Sequence, residues 1–281
     1  MSGKHIAKTK THKFVGKCIY CGATENLHDE HVIPESLNGV RILDKGSCGD
    51  CGRLTSQFEG NYARDSMLAV RTAWNMRSKR SKKKRPTHFP MKFIKNGVEK
   101  IIDVPVEEHW SVIPLMEVGP PGKYPNMTHL KGLENGQYQL HGFKIRSDEH
   151  TEYLKQKYDA DEIGVDSYIN PLAFLRMMAK IGYCTAIWRY GLHNIIPYVV
   201  PAILGQSDDI LFWVGSDGKQ IVYQDSKNMD TDHVVTTSQL PNGDIHARVK
   251  LFSKSLVPEY LVIVGRLKDG VHGLYQSVGY N

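Results

Sequence analysis

Four of the five cysteines form two Cys-x-x-Cys pairs, Cys18/Cys21 and Cys48/Cys51, with 26 residues between the pairs. Each pair sets two thiolates on a tight turn, and four thiolates satisfy a tetrahedral zinc ion. Such a site is closed to water, so the zinc expected here is structural and does no catalysis. A module of about 45 residues cannot hold together by apolar burial alone, and the metal supplies what burial lacks. The fifth cysteine, Cys184, lies in an apolar stretch and is expected to be a buried free thiol.

Between the pairs runs Asp29-Glu30-His31, followed by Val-Ile-Pro. An imidazole with an ordinary pKa near 6.5 can take a proton from water at neutral pH. A carboxylate beside it can hold a hard divalent cation against the charge of a phosphate under attack. One base and one cation-holding acid form a minimal site for phosphodiester hydrolysis. Strand alternation puts Asp29 on the face of His31, and Glu30 on the other. His28 reads as a loop residue.

The order Cys18-x-x-Cys21, Glu30-His31-Val-Ile-Pro34, Leu37-Asn38-Gly39, Cys48-x-x-Cys51 and a following helix resembles the HNH, or ββα-metal, endonucleases, in the branch with two zinc-binding Cys-x-x-Cys pairs. The resemblance covers residues 14 to 62. It implies a β-hairpin carrying His31 as general base, with Glu30 as ligand of a catalytic Mg²⁺ or Mn²⁺ and Asp29 behind it. It also implies 5′-phosphate and 3′-hydroxyl products. Two positions depart from the pattern. Gly52 stands where many members carry a His or Asn metal ligand. Residues 52, 55, 56 and 59 share a helical face, and Glu59 is the acid on it, hence the candidate second ligand. The asparagine that orients the base has no counterpart at its usual place, and Asn38 and Asp44 are the two candidates for that role.

The elements that must position these groups form an α+β chain. Residues 1 to 17 read as a flexible basic arm, and 18 to 76 as the zinc-stapled ββα module with a long helix over Arg53 to Arg77. Residues 77 to 104 read as a basic linker and a hairpin around Asn96-Gly97, and 105 to 281 as a separate α+β domain with its own core. In that last part, Pro171 to Gly191 reads as a helix capped by Asn170. ILFWVG, QIVYQD, HARVKLF and YLVIVGRL read as strands. Trp74, Trp110, Trp188 and Trp213 are expected in the core. Residues 105 to 281 hold no phosphate loop, nucleophile elbow or dinucleotide fingerprint.

Charge points to the partner. The chain has 281 residues and a net charge of +6. Ser66 to Val98 carries ten Lys or Arg and no acid, and residues 1 to 17 add five lysines. One-signed blocks beside a small module suit a polyanion. Arg53, Arg64, Arg71, Arg77, Lys79, Arg80, Lys82, Lys83, Lys84 and Arg85 are the candidate phosphate contacts. The sequence contains no apolar run long enough to span a membrane and no apolar core of a signal peptide, so a cytoplasmic setting is expected. The expected function is a metal-dependent HNH endonuclease acting on double-stranded DNA, with RNA the lesser candidate. By analogy of architecture it would be a restriction or anti-phage effector whose C-terminal part reads a signal. The alternative is a non-catalytic zinc module that binds DNA or RNA, as Gly52 and the missing asparagine suggest. Neither a homo-oligomer nor an activating partner protein is specified.

Overall fold

The structure, a computed structural model, describes residues 9–78, 84–123, 138–216, 233–253, 255 and 257–271. Lys79, Arg80, Lys82, Lys83 and the QIVYQD segment lie outside them.

Three strands open the chain: β1 (Thr11–Phe14), β2 (Leu27–His31) and β3 (Arg41–Cys48). Their order is β1-β3-β2, with β1 parallel and β2 antiparallel to β3. The expected flexible arm is therefore corrected over Thr11–Phe14. The edge of β3 offers unpaired backbone groups, and this segment fills them, with Thr11 N donating to Val40 O and Val15 N to Asp44 O beyond the strand ends. The β2–β3 ladder slips between His28 and Glu30, so Asp29 alone faces Asp44, Lys45 and Gly46. Lys45 takes φ 53°, and a Cβ on Gly46 would stand 2.9 Å from Leu43 O.

Helix α1 (Gly49–Asn61) follows at once, with Cys48 extended at its N-cap. The expected single helix over Arg53 to Arg77 is corrected at both ends and in the middle. It starts at Gly49, loosens into a π-turn over Tyr62–Ser66, where Met67 N bonds Tyr62 O at 3.0 Å, and resumes as α2 (Leu68–Ala73). The wide turn has a packing reason. Phe58 and Tyr62 are buried four residues apart, and the next buried anchors, Met67 and Val70, come one residue late for a regular helix. A π-turn absorbs that residue and keeps all four on the core.

β4 (His88–Lys95) and β5 (Val98–Pro105) form the expected hairpin, with Asn96 at φ 50° and Gly97 at φ 78°. Two positive φ values are what a type I′ turn demands. β6 (Val112–Val118) pairs with β7 (Tyr138–Lys144), then come α3 (Asp148–Lys157) and β8 (Glu162–Gly164), which joins β4. α4 (Pro171–Tyr190) starts where expected, with Asn170 Oδ1 accepting from Ala173 N at 2.9 Å. The chain continues through β9 (Ile195–Pro197), α5 (Val200–Leu204), α6 (Ile210–Trp213), β10 (Val214–Ser216), β11 (Val234–Gln239), β12 (Asp244–Lys250) and β13 (Tyr260–Leu267). The sheet order is β10-β13-β12-β11, with β9 also on β13. The ILFWVG strand is corrected: its first four residues make the turn α6, and only the end enters β10.

α4 lies between α1 and the five-stranded sheet. It touches β13 closely, since a Cβ on Gly182 would meet Val262 Cβ at 2.9 Å. On the other side Tyr62 packs on Phe174 at 5.2 Å between ring centroids, and Tyr183 Oη donates to Ile19 O at 2.5 Å. One buried cluster thus runs from Cys18 through Phe58, Phe174 and Val262 to Leu267. Described residues from β6, α4 and the five-stranded sheet share this cluster with the cysteine module. A small second cluster, with Met91, Phe93 and Leu154, lies under β4 and α3. All four tryptophans are half-buried at the margins of these clusters, and Cys184 is fully buried as expected. Among the described residues, no helix is long and apolar enough to cross a membrane.

Candidate metal centre and the adjoining cleft

The four cysteines meet. Their sulfur atoms all lie within 4.8 Å of one another, and Cys21 Sγ is 3.6 Å from Cys48 Sγ. Around a zinc ion with Zn–S bonds of about 2.3 Å, tetrahedral sulfurs would sit about 3.8 Å apart. The first pair rides a tight turn in which Cys18 N donates to Ala23 O and Gly22 N to Cys18 O, with Gly22 at φ 80°. Ile19 N donates to Gly46 O, so this turn hangs from the β2–β3 slip. The second pair straddles the start of α1. There the backbone N–H of Cys51 holds the Cys48 thiol down to about 7, as a helix N-terminus does. Burial and the neighbouring sulfurs push the Cys51 thiol well up instead. Four thiols this close favour thiolates only around a cation, and the donor set can hold zinc.

Beside this cluster a cleft of about 930 Å³ opens, lined by β2, α1 and the π-turn. His31, Asp29, Glu30 and Glu59 all border it, with Arg53, Arg64, Arg71 and Arg77. The sequence thus brought these residues to one place. The ring of His31 is half-buried, and its Nδ1 is buried without a hydrogen-bond partner. Burial, helped by Lys180, lowers its pKa to about 4, against Glu35, which raises it. A value this low leaves the imidazole neutral at pH 7, the form that accepts a proton, and makes it a weaker base than a free ring.

No family model, curated protein or solved structure matches the chain. The chemistry of the cleft must be read from its own side chains.

Both candidate acids are engaged by a residue the sequence reading left out. Lys180 of α4 is fully buried, and its Nζ lies 2.8 Å from Glu30 Oε1 and 2.8 Å from Glu59 Oε1. It also donates to His31 O. An ammonium has three protons, and three acceptors surround it. Burial by itself would lower the lysine pKa, but the two carboxylates outweigh it and hold the group charged. Two carboxylates and one ammonium leave one negative charge in excess. The Glu59 pKa is raised by burial and by Glu30 against the pull of Lys180, so its carboxylate takes up a proton more readily than a free one. Glu59 Oε1 is buried and off the line of a good hydrogen bond, so its contact is ionic. The set does not fit a divalent ion as well, because the space between the two carboxylates is filled by Nζ. Among the described residues the four cysteines are the one cluster placed for a metal ion.

The other candidates are placed as follows. Asp29 is exposed, and its Oδ1 accepts from Lys45 N at 3.1 Å, stabilising the strand slip. Neither candidate orienting group reaches His31. Asn38 Oδ1 accepts from Arg77 N at 2.9 Å, and Asp44 Oδ1 is 2.6 Å from His12 Nδ1. Both expectations are corrected, because each side chain is spent on holding backbone or the β1 strand. Arg71 is corrected too. It donates to Ser36 O, Ala63 O and Arg77 O at 2.8 to 2.9 Å, clasping the chain around the cleft rather than offering its fork to a ligand. Arg77 Nη1 donates to Gly39 O at 3.2 Å, and Arg85 Nη1 to Asn75 Oδ1 at 2.8 Å. Arg53 pairs with exposed Asp50 at 3.2 Å on the surface, and Lys84 is exposed. Arg64 lies over Gly60, where a Cβ would stand 2.6 Å from its guanidinium nitrogens. The glycine that weakens α1 is what lets this arginine lie across it.

One signal for Lys180 stood in the sequence. α4 is apolar on all sides, and its residues from Ala173 to Ile187 are buried almost without a break. A lone lysine in such a helix requires a buried acid partner.

Proposed function

We propose that the chain is a zinc-stapled HNH-type endonuclease module built into a larger α+β body, and that it hydrolyses phosphodiester bonds of DNA in the cleft beside the cysteine cluster. His31 is the general base. Its neutral imidazole takes a proton from the attacking water, which then adds to phosphorus and expels the 3′-oxygen. Arg64 and Arg53 hold the phosphate from α1 and the π-turn. The observation that carries the reading is a neutral histidine on the wall of a cleft rich in arginine. The order of the residues along the sequence supports it. The four cysteines would hold zinc, which keeps β2, β3 and α1 in register and takes no part in the reaction.

The test uses supercoiled plasmid, with and without Mg²⁺ or Mn²⁺. His31→Ala should lower the rate by about 10²- to 10⁴-fold, the usual worth of a general base. Equal rates for the two proteins would reject the reading. A second reading, binding of DNA without cleavage, is favoured by the pairing of both acids with Lys180. Salt-sensitive binding with no nicking by the wild type would select it.

A further inference from the structure

We infer that Lys180 is the resident cation of the cleft: its ammonium takes the position between Glu30 and Glu59 that a divalent metal would need, and the protein binds no Mg²⁺ or Mn²⁺ there. The argument is geometric. The two carboxylates come from different elements, β2 and α1, and converge on one point with 2.8 Å contacts. Such convergence of acids costs much in the interior unless a cation sits between them. The cation is supplied by α4, which packs against both α1 and β13. The ammonium also donates to His31 O, which ties it to the backbone of the proposed base itself. Lys180 is fully buried, and its acid partners are nearly so, with side chains 7% and 18% exposed. An ion entering would have to shed its water and displace a fully buried ammonium from between the two carboxylates. Lys180 is therefore a positioning residue: it bridges the two acids and bonds the His31 backbone without touching a substrate.

This occupancy stands apart from the activity. Its catalytic consequence, cleavage that needs no added divalent ion, rests on the proposed function. The experiment separates the two. Zinc-loaded protein in metal-depleted buffer is titrated with Mn²⁺ and read by electron paramagnetic resonance, for wild type, Glu59→Gln and Lys180→Met. Wild type should bind no Mn²⁺ that Glu59→Gln removes, and Lys180→Met should bind one Mn²⁺ at least tenfold more tightly. If Lys180→Met does not fold, the wild type and Glu59→Gln decide alone. Mn²⁺ bound by wild type and lost in Glu59→Gln overturns the inference. Plasmid nicking is followed in the same samples. Equal nicking with and without Mn²⁺ supports the inference, and nicking only with Mn²⁺, lost in Glu59→Gln, overturns it. No nicking under either condition overturns the proposed function, while the Mn²⁺ titration still judges the lysine.

Discussion

His31 shows how surroundings change what a residue type can do. A free imidazole titrates near 6.5. Here burial first, then Lys180, bring the value to about 4. His246 is lowered to about 4 by burial and Arg248, and His109 is lowered by burial. The sign of the consequence follows from linkage. The unfolded chain takes up these protons as pH falls through about 6.5, and the folded chain takes up those of His31 and His246 only near 4 and that of His109 below its ordinary value. Stability from these groups is complete above about pH 6.5 and is lost as pH falls through that window. Urea midpoints should therefore drop between pH 7 and pH 4.5, and His246→Gln should flatten part of the drop. A midpoint independent of pH over that range would refute the assignment.

At the scale of elements, the start of α1 matters most. Cys48 stands at the N-cap position and Cys51 lies in the first turn, so two of the four residues that could hold zinc also start the helix. Cys48→Ser should abolish zinc binding, whose free energy in small zinc modules is roughly 10 kcal/mol or more. The drop in melting temperature should be large, and metal analysis should find no zinc. Cys184→Ala offers the contrast. That thiol is fully buried, its pKa is pushed up to about 12 by burial, and it stands 3.8 Å from Tyr20 Oη. The variant should keep its full zinc content. Loss of zinc in both would show that the two thiols are not distinct in role. The helix after the cysteines also carries a packing device: the π-turn spends one extra residue so that Met67 and Val70 stay on the core face.

Across the described residues, the cysteine module and the C-terminal half share one buried cluster. Tyr183 bonds the backbone of the first cysteine turn, Phe174 packs on Tyr62, and Lys180 bridges Glu30 and Glu59. A fragment ending at residue 105 would lose all three and leave two buried acids unpaired. With zinc present, it should still lack a cooperative thermal transition. A fragment that melts cooperatively would show that the shared core is dispensable. In the full chain, Lys180→Met should cost about 3–5 kcal/mol, the penalty for stranding one side of a buried ion pair.

The amino-acid order alone determined the features that depend on near neighbours. The cysteine spacing announced a metal cluster, Asn96-Gly97 announced the hairpin, and Asn170-Pro171 with Gly191 bounded α4. In each case a short segment carries its own geometric requirement, through turn dihedrals, caps or ligand spacing. The same order also collected His31, Glu30 and Glu59 at one cleft, because a strand and the helix next to it are close in the chain. What only the tertiary structure decided is who partners whom. Lys180 lies 149 residues from His31, Arg71 donates to three backbone carbonyls, and Asn38 and Asp44 bond Arg77 and His12. Pairing across such distances is selected by burial, since a charge taken from water must find its counter-charge wherever the packed core puts it. No local pattern of residues carries that information, apart from one lysine in an apolar helix.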